Sequence, residues 1–206
     1  MKPIFTIYRN LPRFDTSVAS AVTIGNFDGV HLGHQAILHC LRDEAEQRQL
    51  IPTVVTFSPH PRVFFAKKAQ RPELYPAQIN TLRDKLHALA TYGAKQIVLQ
   101  RFDTNFASLQ AEKFIYDLLV QGLNTKWLLV GKDFRFGHQR QGGLELLRKA
   151  GALYGFQVDF IEDIPDALGQ RISSSDIRTA LARGNLSQAK ALLGRPYSIT
   201  GHVVHG

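Results

Sequence analysis

A single cysteine, Cys40, stands in a chain of 206 residues. It cannot close an intrachain disulfide and offers no cysteine cluster for zinc. That scarcity fits a reducing compartment, so the sequence reads as cytoplasmic. No apolar run approaches the roughly 18 residues of a membrane span. The opening Met1-Lys2-Pro3-Ile4-Phe5 is too short, in too polar a setting, for a secretory signal. Internal repeats and low-complexity stretches are missing too. There is no block of five or more basic residues. The 25 Lys and Arg outnumber the 17 Asp and Glu, for a net charge of +8, but they are scattered. A dispersed positive field suits small anionic ligands, so neither a nucleic acid nor a membrane is the expected partner.

What is present is alternation. Apolar runs at Ala21–Ile24, Thr53–Phe57, Gln96–Leu99, Trp127–Val130 and Phe156–Ile161 read as strands. The amphipathic stretches Leu32–Gln49, Ala77–Tyr92, Leu109–Gln121 and Leu144–Tyr154 read as the helices between them. This order predicts an α/β fold, a parallel sheet covered on both faces. Ligands of such sheets bind at the carboxyl ends of the strands. Two further helices, Ser174–Arg183 and Leu186–Leu193, are expected around a break at Gly184-Asn185. Gly194-Arg195-Pro196 ends the helical region, and the tail Tyr197–Gly206 reads as a β-strand that begins a new unit or as an ordinary chain end.

The densest chemistry lies in Gly25-Asn26-Phe27-Asp28-Gly29-Val30-His31-Leu32-Gly33-His34. A Gly-rich turn between an apolar run and an amphipathic helix presents backbone N–H groups to phosphate. His31 and His34 are expected in the first helical turn, on one face. Gly33 costs about 1 kcal/mol relative to Ala inside a helix, and close approach of phosphate is a reason to tolerate it. A zinc pair or structural histidines are the competing readings, but zinc needs two further ligands and no downstream spacing supplies them.

Three more segments carry functional groups. Thr56-Phe57-Ser58-Pro59-His60-Pro61 is a strand end made rigid by two prolines, with His60 held extended between them. Phe57, Phe64 and Phe65 can wall a flat ligand or simply fill the core. In Gly131-Lys132-Asp133-Phe134-Arg135-Phe136-Gly137, Asp133 can accept from ring N–H groups or sugar hydroxyls and Arg135 can hold an anion. A capping Asp with two core phenylalanines is the plainer reading. Arg171-Ile172-Ser173-Ser174-Ser175-Asp176-Ile177-Arg178 contains good N-caps. Three hydroxyls between two arginines exceed what a cap needs, and they suit phosphate oxygens.

The first of these segments resembles the His-x-Gly-His signature of the nucleotidyltransferase superfamily related to class I aminoacyl-tRNA synthetases. Its longer form is similar to the FMN adenylyltransferase module of bacterial bifunctional riboflavin kinase/FAD synthetases. The F-x-P-H-P segment, the G-x-D-F-x-F-G loop and the I-S-S-S-x-I-R segment resemble that family's other motifs in the same order. The last is the counterpart of the mobile Lys-Met-Ser-Lys-Ser loop, with Ser175 where the family has Thr. The resemblance spans about residues 20 to 195. It implies a Rossmann-like parallel-sheet nucleotidyltransferase fold over residues 1–196, with 197–206 as the start of a riboflavin kinase-like β module.

The reaction it implies is transfer of AMP from ATP to FMN, giving FAD and pyrophosphate without a covalent enzyme intermediate. On the same resemblance His31, His34 and Arg178 act in catalysis. Gly25, Asn26, Phe27, Asp28, Gly29, Gly33, Arg171, Ser173, Ser174 and Ser175 would meet ATP. Phe57, Pro59, His60, Pro61, Asp133 and Phe134 would meet the flavin. Mg²⁺ would arrive with ATP, with no metal ligand set of the protein's own, and riboflavin kinase activity is expected only from the C-terminal module. Transfer to another phosphorylated acceptor, or a basic RNA-binding module, are the alternatives.

Overall fold

A computed structural model describes residues 4–10, 18–162, 165 and 169–204. The strands are β1 (Thr6–Arg9), β2 (Ser20–Ile24), β3 (Ile51–Ser58), β4 (Gln96–Arg101), β5 (Thr125–Gly131) and β6 (Gln157–Ile161). They form one sheet in the order β1-β4-β3-β2-β5-β6, and every pairing is parallel. The chain winds outward from β2 to β3 and β4 on one side and to β5 and β6 on the other. The order therefore reverses between β2 and β5, and such a switch point opens a crevice at the carboxyl ends of those strands.

Both faces of the sheet are covered, as the apolar strand runs require. Val22, Ile24, Val55, Val98, Leu128 and Val130 point to one face, against the helix at 111–122 and α6 (Leu144–Tyr154). Their alternates Ala21, Val54, Ile97, Trp127 and Leu129 point to the other, against α1 (Leu32–Gln47) and α3 (Leu82–Thr91). This is the two-residue period of a strand read on both sides. A smaller cluster of Ile79, Ile172, Ile177, Leu192 and Leu193 joins α7 (Ser174–Ala182) and α8 (Leu186–Leu193) to the loop before α3.

Several expectations are corrected. The helix predicted over Ala77–Tyr92 begins only at Leu82, because Thr81 caps it by accepting from the Asp84 N–H at 3.1 Å. Residues 77–80 instead bridge the first motif and α7, where the Ile79 N–H donates to Asp28 and the Ala77 carbonyl accepts from Arg178. The helix predicted from Leu109 is preceded by a short α4 (Thr104–Ala107), starts at Ala111 as α5 (Ala111–Phe114) and continues as a π-helix over Ile115–Gly122. Edge strand β1 and α2 (Pro61–Lys68) went unread. Pro61 sits at the first position of α2, where its missing N–H costs nothing. The expected terminal strand is not one: residues 197–204 pair with no strand, and Thr200 gives its N–H to the Asp84 carboxylate at 3.2 Å. His205 and Gly206 lie outside the described residues.

Leu128 is fully buried at the centre of β5. Leu128→Ala is expected to cost about 2–5 kcal/mol, from lost burial and the cavity left behind. Urea unfolding would show it as a lowered midpoint with an unchanged slope.

Candidate active site

The turn that follows β2 enters the crevice in a strained conformation. Phe27 (φ 49°) and Val30 (φ 41°) are left-handed, and Gly29 (φ 86°) lies between them. A β-branched residue rarely adopts this region, so other contacts must impose it. The Gly29 carbonyl accepts from the Arg195 guanidinium at 2.7 Å, and the Val30 carbonyl accepts from Arg195 at 3.0 Å and from the Gln35 amide at 2.8 Å. Arg195, read in the sequence only as part of a helix stop, is thus a strut for the first motif. His31 is the N-cap of α1 rather than a residue of its first turn, and its Nδ1 accepts from the His34 N–H at 3.4 Å. The two imidazoles stack, with centroids 3.6 Å apart and planes 20° apart. A Cβ on Gly33 would lie 3.3 Å from the His31 ring, so this glycine makes room for the imidazole.

Asp28 is buried and lines the cavity described below. Its carboxylate accepts from Arg178 at 2.5 Å and from the Ile79 N–H at 3.1 Å. Arg178 also donates to the Ala77 carbonyl at 2.7 Å, and the Ser174 hydroxyl donates to the Asp28 carbonyl at 2.9 Å. These bonds fasten the start of α7 to the first-motif turn across about 150 residues of chain. Ser173 is the N-cap of α7, accepting from the Asp176 N–H at 3.3 Å. Arg171 forms a two-pronged pair with Asp133, both contacts 3.1 Å, so the loop after β5 meets the Ser-rich segment directly.

A cavity of about 430 Å³ unites these segments. Gly25, Asn26, Phe27, Asp28, His31, Gly33 and His34 line it from the first motif. Asp133, Phe134, Arg171, Ser173, Ser174, Ser175, Arg178 and His60 face them. Gly29, Phe57, Pro59 and Pro61 are not among its lining residues. Phe57 packs edge-on to Phe102 at 5.7 Å and beside Phe106 at 5.8 Å, and it lines a smaller pocket beside Asn26, Asp28 and His60. Arg62 and Arg140 also line the cavity, and no motif flagged either.

Lys85 was missed as well, because α3 shows only ordinary amphipathic spacing around it. Its amine donates to the Asn26 carbonyl at 3.3 Å, the Thr56 hydroxyl at 3.1 Å and the Phe57 carbonyl at 3.2 Å. It therefore ties the ends of β2 and β3 together. Burial pulls its pKa down to about 8.

All three imidazoles of the site are neutral near pH 7. Burial, with the Arg171 charge nearby, lowers the His31 pKa to about 4, and burial does the same for His60. His34 lies well below the usual value through burial, its stacked partner and Lys85. A histidine whose folded pKa lies below its unfolded one binds fewer protons when folded. Its contribution is present above pH 6.5 and is lost as pH falls toward 4. Stability should therefore begin to fall below about pH 6.5, before most carboxylates titrate. His31→Asn keeps an N-cap acceptor and removes one titration, so it should flatten this slope in urea melts run from pH 7 to 5. Asp28→Asn should cost about 3–5 kcal/mol by leaving the Arg178 guanidinium unpaired in a mostly buried position, read as a lowered melting temperature.

A family model described as FAD synthetase matches residues 14–176. The chain is similar to the bifunctional riboflavin kinase/FMN adenylyltransferase of Escherichia coli K12, with 47% identity over 185 residues, 90% of this chain and 57% of the relative. It is also similar to the protein of the same name from Haemophilus influenzae, with 43% identity over 190 residues, 90% of this chain and 58% of the relative. The chain thus spans somewhat over half the length of these relatives. A Streptococcus pneumoniae crystal structure, described as a macrolide-efflux protein, matches with a TM-score of 0.79 at 29% identity, over 94% of this chain and 62% of that one. The His-x-Gly-His turn and the Ser-rich helix start meet in one cleft of a six-stranded parallel sheet, and the family match covers most of the sequence: the chain belongs to the FAD synthetase family.

Proposed function

We propose that this chain transfers AMP from ATP to FMN, producing FAD and pyrophosphate. The observation that carries the reading is the stacked His31–His34 pair at the N-terminus of α1, facing Ser173–Ser175 across a single cavity at the sheet's switch point. A phosphate oxygen of FMN attacks the α-phosphorus of ATP, the bond from that phosphorus to the bridging oxygen breaks, and pyrophosphate departs. The protein's task is positioning and charge stabilisation.

Neutral imidazoles can each present one N–H to the triphosphate, and the arriving anion favours their protonation. His31 and His34 would thus gain donors and charge only with substrate in place. Backbone N–H groups in the first turn of α1 would add to the same anion site. Ser174 and Ser175 sit where they can hold the leaving pyrophosphate. Arg178, tied to Asp28, acts mainly by holding those serines against the first motif. Asp133 and Phe134 supply the flavin side of the cavity. Phe57 and the two prolines support that wall from behind.

Mg²⁺ enters as part of the ATP substrate. The cavity's carboxylates Asp28, Asp133 and Glu162 are engaged by Arg178, Arg171 and Lys132 respectively, so the residues present do not fit a resident Mg²⁺ ion. Residues 1–196 form the adenylyltransferase unit in this reading, and 197–206 lead toward the riboflavin kinase part named in the relatives.

The test is an end-point assay with ATP, Mg²⁺ and FMN, reading FAD and pyrophosphate by chromatography. Equal amounts of the two products are expected. No FAD from a chain that still binds ATP would overturn FMN as the acceptor. His34→Ala should lower kcat by about 10²–10³, as loss of a transition-state donor does elsewhere. Unchanged turnover in that variant would remove His34 from the mechanism.

A further inference from the structure

The cations of the cavity fall into two groups. Arg171 and Arg178 are held by Asp133 and Asp28. Among the described residues, the side chains of Arg62 and Arg140 make no hydrogen bond or ion pair, and both line the cavity. A polyphosphate and a phosphate monoester bring several negative charges into this space. Guanidiniums already neutralised by carboxylates answer that charge less well than free ones.

Arg140 is further distinguished by how its backbone is fixed. Gln139 (φ 52°, ψ 23°) and Arg140 (φ 60°) are two consecutive left-handed residues without glycine. The loop that carries them is closed at its base, where Phe136 and Gly142 exchange backbone hydrogen bonds of 3.2 and 2.9 Å. The His138 N–H donates to the Leu109 carbonyl at 2.7 Å, and the Arg140 N–H to the Gly137 carbonyl at 3.1 Å. Gly137 (φ 73°) lies so close to Ala111 that a Cβ there would approach within 2.8 Å. A costly conformation held at a cavity edge is the pattern of a functional position. Arg62, by contrast, sits on an ordinary helical turn of α2.

We propose that Arg140 is a specificity-determining residue that binds a phosphate group of the substrates in this cavity. The inference rests on the proposed adenylyl transfer for the identity of those substrates. The phosphate belongs either to the acceptor or to the nucleotide, and the chemistry recognised is the same.

Arg140→Asn removes the charge while keeping a residue tolerant of the left-handed region. Binding of FMN, riboflavin, ATP and adenosine is titrated separately. Expected is a loss of about ten- to a hundredfold for FMN or for ATP, with riboflavin and adenosine unchanged. Loss for FMN alone assigns the acceptor phosphate, and loss for ATP alone assigns the triphosphate. Arg140→Lys should recover part of the affinity. Lys126→Ala, at the opposite end of β5, should leave every titration unchanged.

Arg140→Gly adds a readout that a merely structural role would not give. Relief of backbone strain should raise Tm by about 2 °C while phosphate binding falls. Unchanged FMN and ATP affinities in Arg140→Asn would overturn the proposal. If the wild-type chain makes no FAD yet ATP binding still depends on Arg140, the reaction assignment fails and the phosphate site stands.

Discussion

The contact between Asp28 and Arg178 is the joint on which the site depends. It is mostly buried, and side-chain exposure is 8% and 17% for the two partners. Removing a carboxylate and a guanidinium from water is expensive unless each finds further polar partners. Both do: Ile79 donates to the carboxylate, and the Ala77 carbonyl accepts from the guanidinium. The same four groups join three separate stretches of chain. Together with the Ser174–Asp28 bond and the cluster of Ile79, Ile172 and Ile177, they fix the Ser-rich start of α7 against the first-motif turn.

A second tier of tethers keeps the first-motif turn in its strained shape. Arg195 and Gln35 collect the carbonyls of Gly29 and Val30, and Lys85 collects those of Asn26 and Phe57. Cations are used here as hydrogen-bond hubs for backbone oxygens rather than as ligands for substrate. The consequence is electrostatic as well as mechanical. Burial, with Arg171 near His31, holds the imidazole pKa values below the usual histidine range. Among the described residues, the unengaged guanidiniums that line the cavity are those of Arg62 and Arg140.

Much of this was legible in the sequence. The five main strands announce themselves because buried parallel strands are near-continuous apolar runs, and the switch point then locates the cleft. His31, His34 and Ser173–Ser175 stand out because their residue types are dense and their local frames, a Gly-rich turn and a helix N-terminus, have short-range signatures. Arg195, Lys85 and Arg140 do not, since a lone cation in a helix, a stop or a loop has no local pattern. Phe57 reads equally as ligand wall or as core, and in the structure it both packs on Phe102 and Phe106 and lines a small pocket beside Asn26 and His60. The tail Tyr197–Val204 has the alternation of a strand but lacks a partner strand, and unpaired backbone groups do not make a sheet.

The sequence by itself determined the α/β class, the order of the motifs and the two polar segments that meet in the cleft, because periodicity and turn chemistry act over a few residues. Tertiary structure decided which charges are free. Asp28 could have braced a turn or held a cation, and Arg178 could have faced a phosphate or a carboxylate. In the structure the two pair with each other across about 150 positions, and both line the cavity. Such a choice depends on which groups share a low-dielectric space, and that is set by the packing of the whole chain.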